Sequence, residues 1–310
     1  MKIKRILPMT ILAALLILAL SRIDGKNLLY SISQISLWLV LILFGLQIVS
    51  QLLINLQWHR IARLANIPIS FRDMLYANCQ GAVMDSITPG VKIGGEVARA
   101  VQISRISKCS AEQSAAVVAT QKLFSFTALF LILPFVGGWL LALPFLFVFL
   151  CIFLMPSRIK SYLETKKAPR FSWIRKAKSF LYVLLDQICT ARKDKRVWMT
   201  LFAMSLLIWL LYPTKMYMLA IQFYPDAQLF HIAAITFAAY MVAMLPIFPG
   251  GLGGFEATMA GLLAAMGVAI SDAAVITIFF RFLTFWLVML SGLAFIAFYN
   301  ARKNRRSRRL

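Results

Sequence analysis

Acid is scarce in this sequence: 11 aspartates and glutamates stand against 33 lysines and arginines in 310 residues. Histidine is scarcer still, with only His59 and His231, and the four cysteines, Cys79, Cys109, Cys151 and Cys189, lie far apart with no Cys-x-x-Cys pair. Those spacings exclude the usual structural zinc sites and the framework of a disulfide-stapled domain, so no metal and no cofactor is expected. There is no Ser/His/Asp or Cys/His constellation and no nucleotide-binding P-loop. Catalysis is therefore not expected, and any energy source is an ion gradient, the membrane potential or none. Charge of either sign is sparse, at 14% of residues, whereas 61% are hydrophobic and the mean hydropathy is +0.80. No soluble domain of this length needs so much apolar surface. The formal net charge of +22 does not point to nucleic acid, because the cations cluster in short segments between apolar runs instead of forming a continuous basic face.

A bilayer core about 30 Å thick calls for about 20 apolar residues per helix. Runs that meet or approach this are Ile6 to Leu20, Ile35 to Leu56, Ser114 to Phe135, Trp139 to Met155, Val197 to Ile221, His231 to Leu245 and Ala273 to Tyr299. The expected class is an all-α polytopic membrane protein, a single transmembrane domain over 1–310 with about seven full spans. The first run follows Lys2, Lys4 and Arg5 as a secretory signal would, but Ala19-Leu20-Ser21 is a poor cleavage site and Arg22 follows at once. A retained span is expected there. Orientation comes from the cations. Residues 156–196 hold Arg158, Lys160, Lys166, Lys167, Arg170, Arg175, Lys176, Lys178 and Arg192, and 300–310 form a basic tail, so both are expected in the cytoplasm with the N-terminus. Within that loop Phe171, Trp173, Ile174, Phe180, Leu181 and Leu184 recur among lysines and arginines at helical spacing, which predicts an amphipathic helix lying on the membrane surface; a solvated basic linker is the alternative.

An internal repeat organises the rest. Pro89-Gly90-Val91-Lys92-Ile93-Gly94-Gly95-Glu96 and Pro249-Gly250-Gly251-Leu252-Gly253-Gly254-Phe255-Glu256 both read P-G-x-x-x-G-x-E, and each is followed at nearly equal distance by a cation in an apolar helix, Lys122 or Arg281. The first motif is flanked on both sides by arginines and lysines, so 74–104 is expected to enter and leave from the cytoplasmic side as a re-entrant hairpin within a first repeat, 35–135. The second, 231–266 within 197–299, is then expected to enter from the outside. Two such breaks make an inverted repeat of broken helices, the recurrent layout of alternating-access carriers.

Backbone accounting explains the residue types. Proline ends a half-helix, glycines permit the reversal, and the next half-helix starts with free amides that favour an anion. Glu96 and Glu256, one turn in, either balance charge at a ligand site or simply cap those amides. Lys122 and Arg281 either face a polar cavity or snorkel to an interface. Asp85, just before the first break, and Lys215, near Pro213 in its span, are secondary candidates with an interface position as the alternative.

At these residues the sequence resembles the transmembrane region of lysylphosphatidylglycerol synthases and the wider flippase-like family of stand-alone relatives, from about Leu37 to Tyr299. The likeness rests on Thr88-Pro89-Gly90 with Gly94-Gly95-Glu96 and Arg99, on the run from Leu245 to Glu256, and on Arg281. Where relatives often have Glu-Arg after the first motif, this chain has Gln121-Lys122, which keeps the cation alone. The resemblance implies a prokaryotic plasma membrane and translocation of aminoacylated or other anionic phospholipids, or of polyprenyl-linked or hopanoid lipids. Lys122, Arg281 and Arg99 would hold the phosphate, and Glu96 and Glu256 would balance charge or carry a coupling proton. The soluble aminoacyl-transfer domain of the bifunctional enzymes is not expected after the last span. Two readings compete with lipid translocation: a carrier for a small soluble anion, and a non-transporting module that holds a lipid or a lipid-modifying partner such as a membrane glycosyltransferase. The opposed hairpins are testable by accessibility. In a background without the native cysteines, Ser271→Cys should react with an impermeant thiol reagent from outside and Ser107→Cys only after permeabilisation; labelling of both from one face would rule out the inverted arrangement.

Overall fold

The computed structural model describes residues 30, 33–88, 93–165, 172–245 and 250–307. The expected first span over 6–20, the break residues Pro89, Gly90 and Pro249, and the end of the basic tail lie outside the described residues. Everything described is helix or short connection, with no strand. Apolar length sets the frame: α1 (Leu37–Leu64), α4 (Ala111–Ile132, prolonged by a 3-10 turn to Val136) and α8 (Lys195–Ala220) are each long and apolar enough to cross a bilayer. The fourth crossing is made by α11 (Ile270–Arg281) continuing through a π turn (Phe282–Trp286) into α12 (Leu287–Ser307). Between α4 and α8 run α5 (Trp139–Leu154), α6 (Pro156–Thr165) and α7 (Ser172–Lys193). Helices α5 and α6 meet at a bend of 72° and count as a fifth span if taken together.

Four or five spans among the described residues are fewer than the composition suggested. Part of the difference is the run at 6–20. The rest is chain geometry: the apolar run at 231–245 folds as α9 (Leu229–Ala243), whose 15 residues reach only about 22 Å, short of the hydrocarbon core. It is followed across the second break by the 12-residue α10 (Gly254–Ala265). The first break is likewise flanked by short helices, α2 (Phe71–Ile87) and α3 (Ile93–Ser107). Both pairs are antiparallel. Thr88 lies against Gly94, Asp85 against Gly95 and Gly81 against Arg99, so partners spread symmetrically from the break; Ala243 lies against Gly251 and Tyr240 stacks edge-on with Phe255 at 5.1 Å in the other pair.

Two interior cores hold these pairs at opposite ends of one antiparallel helix couple. Helices α1 and α8 run through both: Trp58, Ile61 and Leu201 join Met74, Ala77, Ile103 and Phe124 in the core of α2, α3, α4 and α7, whereas Leu43, Met216 and Leu219 join Ile235, Phe255, Met259 and Phe280 in the core of α9, α10 and α11. Outward, Trp38, Phe147 and Phe230 are mostly exposed, as expected of a surface whose solvent is hydrocarbon. Within the basic loop, Leu184, Leu185 and Ile188 of α7 are buried and Gln187 accepts a hydrogen bond of 2.9 Å from Thr120, so this stretch packs on α4; of the face expected on the membrane surface, Leu181 is exposed and Phe171 lies outside the described residues.

Gly94 and Gly95 of the first motif have a packing role. Gly94 and Gly95 sit inside α3, where a Cβ on Gly95 would overlap the Asp85 carboxylate and the Gly81 carbonyl, and one on Gly94 would overlap the Thr88 side chain. They permit a close crossing of α2 and α3. Gly95→Ala should accordingly lower stability by about 1–3 kcal/mol, from overpacking, read as a drop in melting temperature in mild detergent. Gly261→Ala, where nothing lies within 4 Å of the added carbon, should leave the melt unchanged or raise it.

Candidate functional site

Around the first break the charges gather from three helices. The Arg99 guanidinium reaches Asp85 of α2 through Nη2 (3.1 Å) and Glu96 of its own helix through Nη1 (3.1 Å), and Lys122 of α4 places Nζ 2.5 Å from the same Glu96 Oε1. Arg99, Asp85 and Glu96 are nearly buried, whereas Lys122 keeps about a third of its side chain exposed (31%). Arg99 also lies 5.6 Å from the centre of the Trp58 ring, a cation–π distance. The amide that opens α3 is not left for a ligand: the Gly95 N–H donates to Asp85 Oδ1 at 3.2 Å. Two carboxylates therefore face two cations in a compact quartet. Gly81 makes room for the arginine, since a Cβ there would collide with the guanidinium.

The second break repeats the design with fewer parts. Glu256 Oε2 accepts from the Gly253 N–H at 2.6 Å, capping α10, while Oε1 lies 2.8 Å from Arg281 Nε as an ion pair. Glu256 is thus helix cap and ion-pair partner at once. Arg281 does not snorkel; it is 6% exposed, donates from Nη2 to the Gly250 carbonyl at 2.6 Å, and lies between the rings of Phe255 and Phe285 at 4.8 and 4.2 Å. Presenting that carbonyl inward needs unusual backbone, and Gly250 and Gly251 supply it at φ 59 and 72. Gly253 and Gly254 complete the entry to α10.

The two clusters are neighbours. A Cβ built on Gly250 would stand 3.1 Å from the Ser86 carbonyl oxygen and 3.2 Å from Phe285, so the turn of the second break rests on the end of α2, one residue from Asp85. Of the sequence-derived residues, Glu96, Arg99 and Lys122 gather with Asp85 at the first break, and Glu256 pairs with Arg281 at the second. Lys215 is elsewhere. Fully buried between α8 and α1, it donates to Gln47 Oε1 (2.6 Å) and Ser50 Oγ (3.1 Å) and faces the Tyr212 ring at 4.9 Å, with no carboxylate partner among the described residues. Sequence reading missed a second polar seam, in which Gln121 donates to Gln57 at 3.1 Å and Gln57 to Ser205 and the Leu201 carbonyl. The signal was present: Gln47, Ser50, Asn55 and Gln57 fall within one membrane-length helix and are all buried.

Because a buried pair broken on one side strands the other charge, the members of the quartet should differ in cost. Asp85→Ala leaves Arg99 without Oδ2 and the Gly95 N–H without Oδ1, and should destabilise by about 3–5 kcal/mol. Lys122→Ala removes a part-exposed ammonium and should cost less, about 1 kcal/mol. Chemical or thermal unfolding of the two variants side by side checks the order.

The arrangement also has relatives. The chain is 25% identical over 289 residues to a UPF0104 membrane protein of Methanothermobacter thermautotrophicus, covering 84% of this chain and 86% of that one. It is 22% identical to one of Pyrococcus horikoshii (79% and 82% covered) and 21% to one of Methanocaldococcus jannaschii (82% of each). The family model described as the lysylphosphatidylglycerol synthase TM region matches residues 5–292, across both breaks and every charged residue of the two clusters, and the chain belongs to that family.

Proposed function

We propose that this protein moves an anionic amphiphile, an anionic or aminoacylated phospholipid or a polyprenyl-linked lipid, across a prokaryotic plasma membrane through a polar cavity between two re-entrant hairpins. The observation that carries this reading is the duplicated pairing: in each copy of the motif the glutamate one turn past the break holds the cation of the following helix, Glu96 with Lys122 and Glu256 with Arg281. Support for opposite entry of the hairpins, and so for an inverted repeat with both termini cytoplasmic, comes from the two cores at opposite ends of the α1/α8 couple.

A charge-neutral pair at depth is a lock that the right ligand can open. A phosphate diester competes with the carboxylate for the same N–H groups, and its arrival leaves the glutamate free to take a proton or an ammonium of the headgroup. The tails remain in the bilayer, so only the headgroup needs the polar route.

The test is dithionite-accessible fluorescent lipid in proteoliposomes, with thermal stability as the folding control. Arg281→Ala should abolish movement, and Arg281→Lys should restore part of it, since an ammonium lacks the bidentate fork. Glu256→Gln retains shape and the cap but not the charge, and should impair movement without loss of yield. Wild-type rates in folded Arg281→Ala and Glu256→Gln would overturn the site. Movement of a soluble anion but no lipid would favour a small-anion carrier, and no movement of either would favour a module that holds a lipid or a glycosyltransferase partner.

A further inference from the structure

A groove of about 330 Å³ lies far from the breaks, where the start of α2 meets the end of α12, lined by Ser70, Arg72, Asp73, Phe295, Phe298, Tyr299, Arg302 and Lys303. Asp73 stands twelve residues before Asp85 on one helix, about 18 Å away along its axis. Three cations here face a single carboxylate, and that carboxylate is already engaged on both oxygens: Tyr299 Oη donates to Oδ1 at 2.5 Å and Ser70 Oγ to Oδ2 at 2.7 Å. Among the described residues no carboxylate lies within ion-pair distance of Arg72, Arg302 or Lys303. The rest of the floor is rigid, since Tyr76 stacks on Tyr299 at 4.2 Å and donates to Asn300 at 3.1 Å. Its other wall is apolar, formed on one face of α12 by Phe295 and by Phe298, which is exposed at 60%. Cations at the mouth and aromatic surface on a spanning helix beside them match an ion with a tail, not an ion alone.

We propose that this groove is a binding site for one anionic phospholipid, whose phosphate bridges Arg72 of α2 to Arg302 and Lys303 of α12 and whose chain lies along Phe298 and Phe295. The site is independent of the transport reading, and it ties the helix before the first break to the helix after Arg281. Its occupant stays in one leaflet and acts as a strut.

The experiment uses the full chain purified in mild detergent, titrated with short-chain phosphatidylglycerol, with phosphatidylcholine of equal chain length, and with inorganic phosphate, following melting temperature and bound lipid by native mass spectrometry. Phosphatidylglycerol should raise the melting temperature saturably with one tightly retained lipid, and the other two should not. Combined Arg72→Gln, Arg302→Gln and Lys303→Gln should weaken that binding roughly a hundredfold, at about fivefold per cation. Removing three cations elsewhere, Lys193→Gln, Lys195→Gln and Arg196→Gln, should leave it unchanged. The single, fully surface change Lys303→Gln, which does not threaten folding, should weaken it about fivefold. Equal stabilisation by phosphate, equal binding by phosphatidylcholine, or the same loss in the control triple variant would each overturn the proposal.

Discussion

A carboxylate placed one turn past a break in a membrane helix must satisfy two demands that hydrocarbon makes simultaneously, and the architecture follows from how it does so. The broken backbone exposes an amide, and the next helix brings a cation; neither tolerates isolation in a medium without water. Glu256 answers both with its two oxygens, one on the Gly253 N–H and one beside Arg281. In the first copy the same work is divided: Asp85 takes the Gly95 N–H and one arm of Arg99, and Glu96 takes the other arm and Lys122. Everything that positions these oxygens, from the glycine-lined crossing of α2 and α3 to the inward carbonyl of Gly250, is a condition for that satisfaction.

This accounts for what could be read in the sequence. Spacing between Glu and cation repeats in both motifs because each pair spans the same helix-to-helix step, so a linear pattern carried a three-dimensional contact. The all-helical class followed from composition alone. Asp85 stands out less than Glu96 in sequence, since nothing in its neighbourhood announces that α2 folds back on α3 closely enough for contact. That closeness depends on Gly81, Gly94 and Gly95 lacking a Cβ, a packing property that no propensity scale expresses.

Other misses have equally physical causes. Apolar run length counts residues, but a run folded as one arm of a hairpin has the same composition as one that crosses; α9 is apolar throughout and still too short. Leu184 of α7 packs in the protein interior with Ile188, a partner that an amphipathic pattern cannot distinguish from lipid. Lys215 was an isolated cation in sequence, and its companions Gln47 and Ser50 lie on a helix far earlier in the chain.

The π turn immediately after Arg281 bears on how the two ends of the last helix are related. One extra residue in a helical turn rotates all that follows by about 100° relative to an uninterrupted helix. Arg281 and Tyr299 therefore do not share the azimuth that their spacing in an ideal helix would dictate. The insertion works as a coupling with an angular offset, letting the upper segment aim its guanidinium at one break while the lower segment keeps its phenol on the helix that leads into the other.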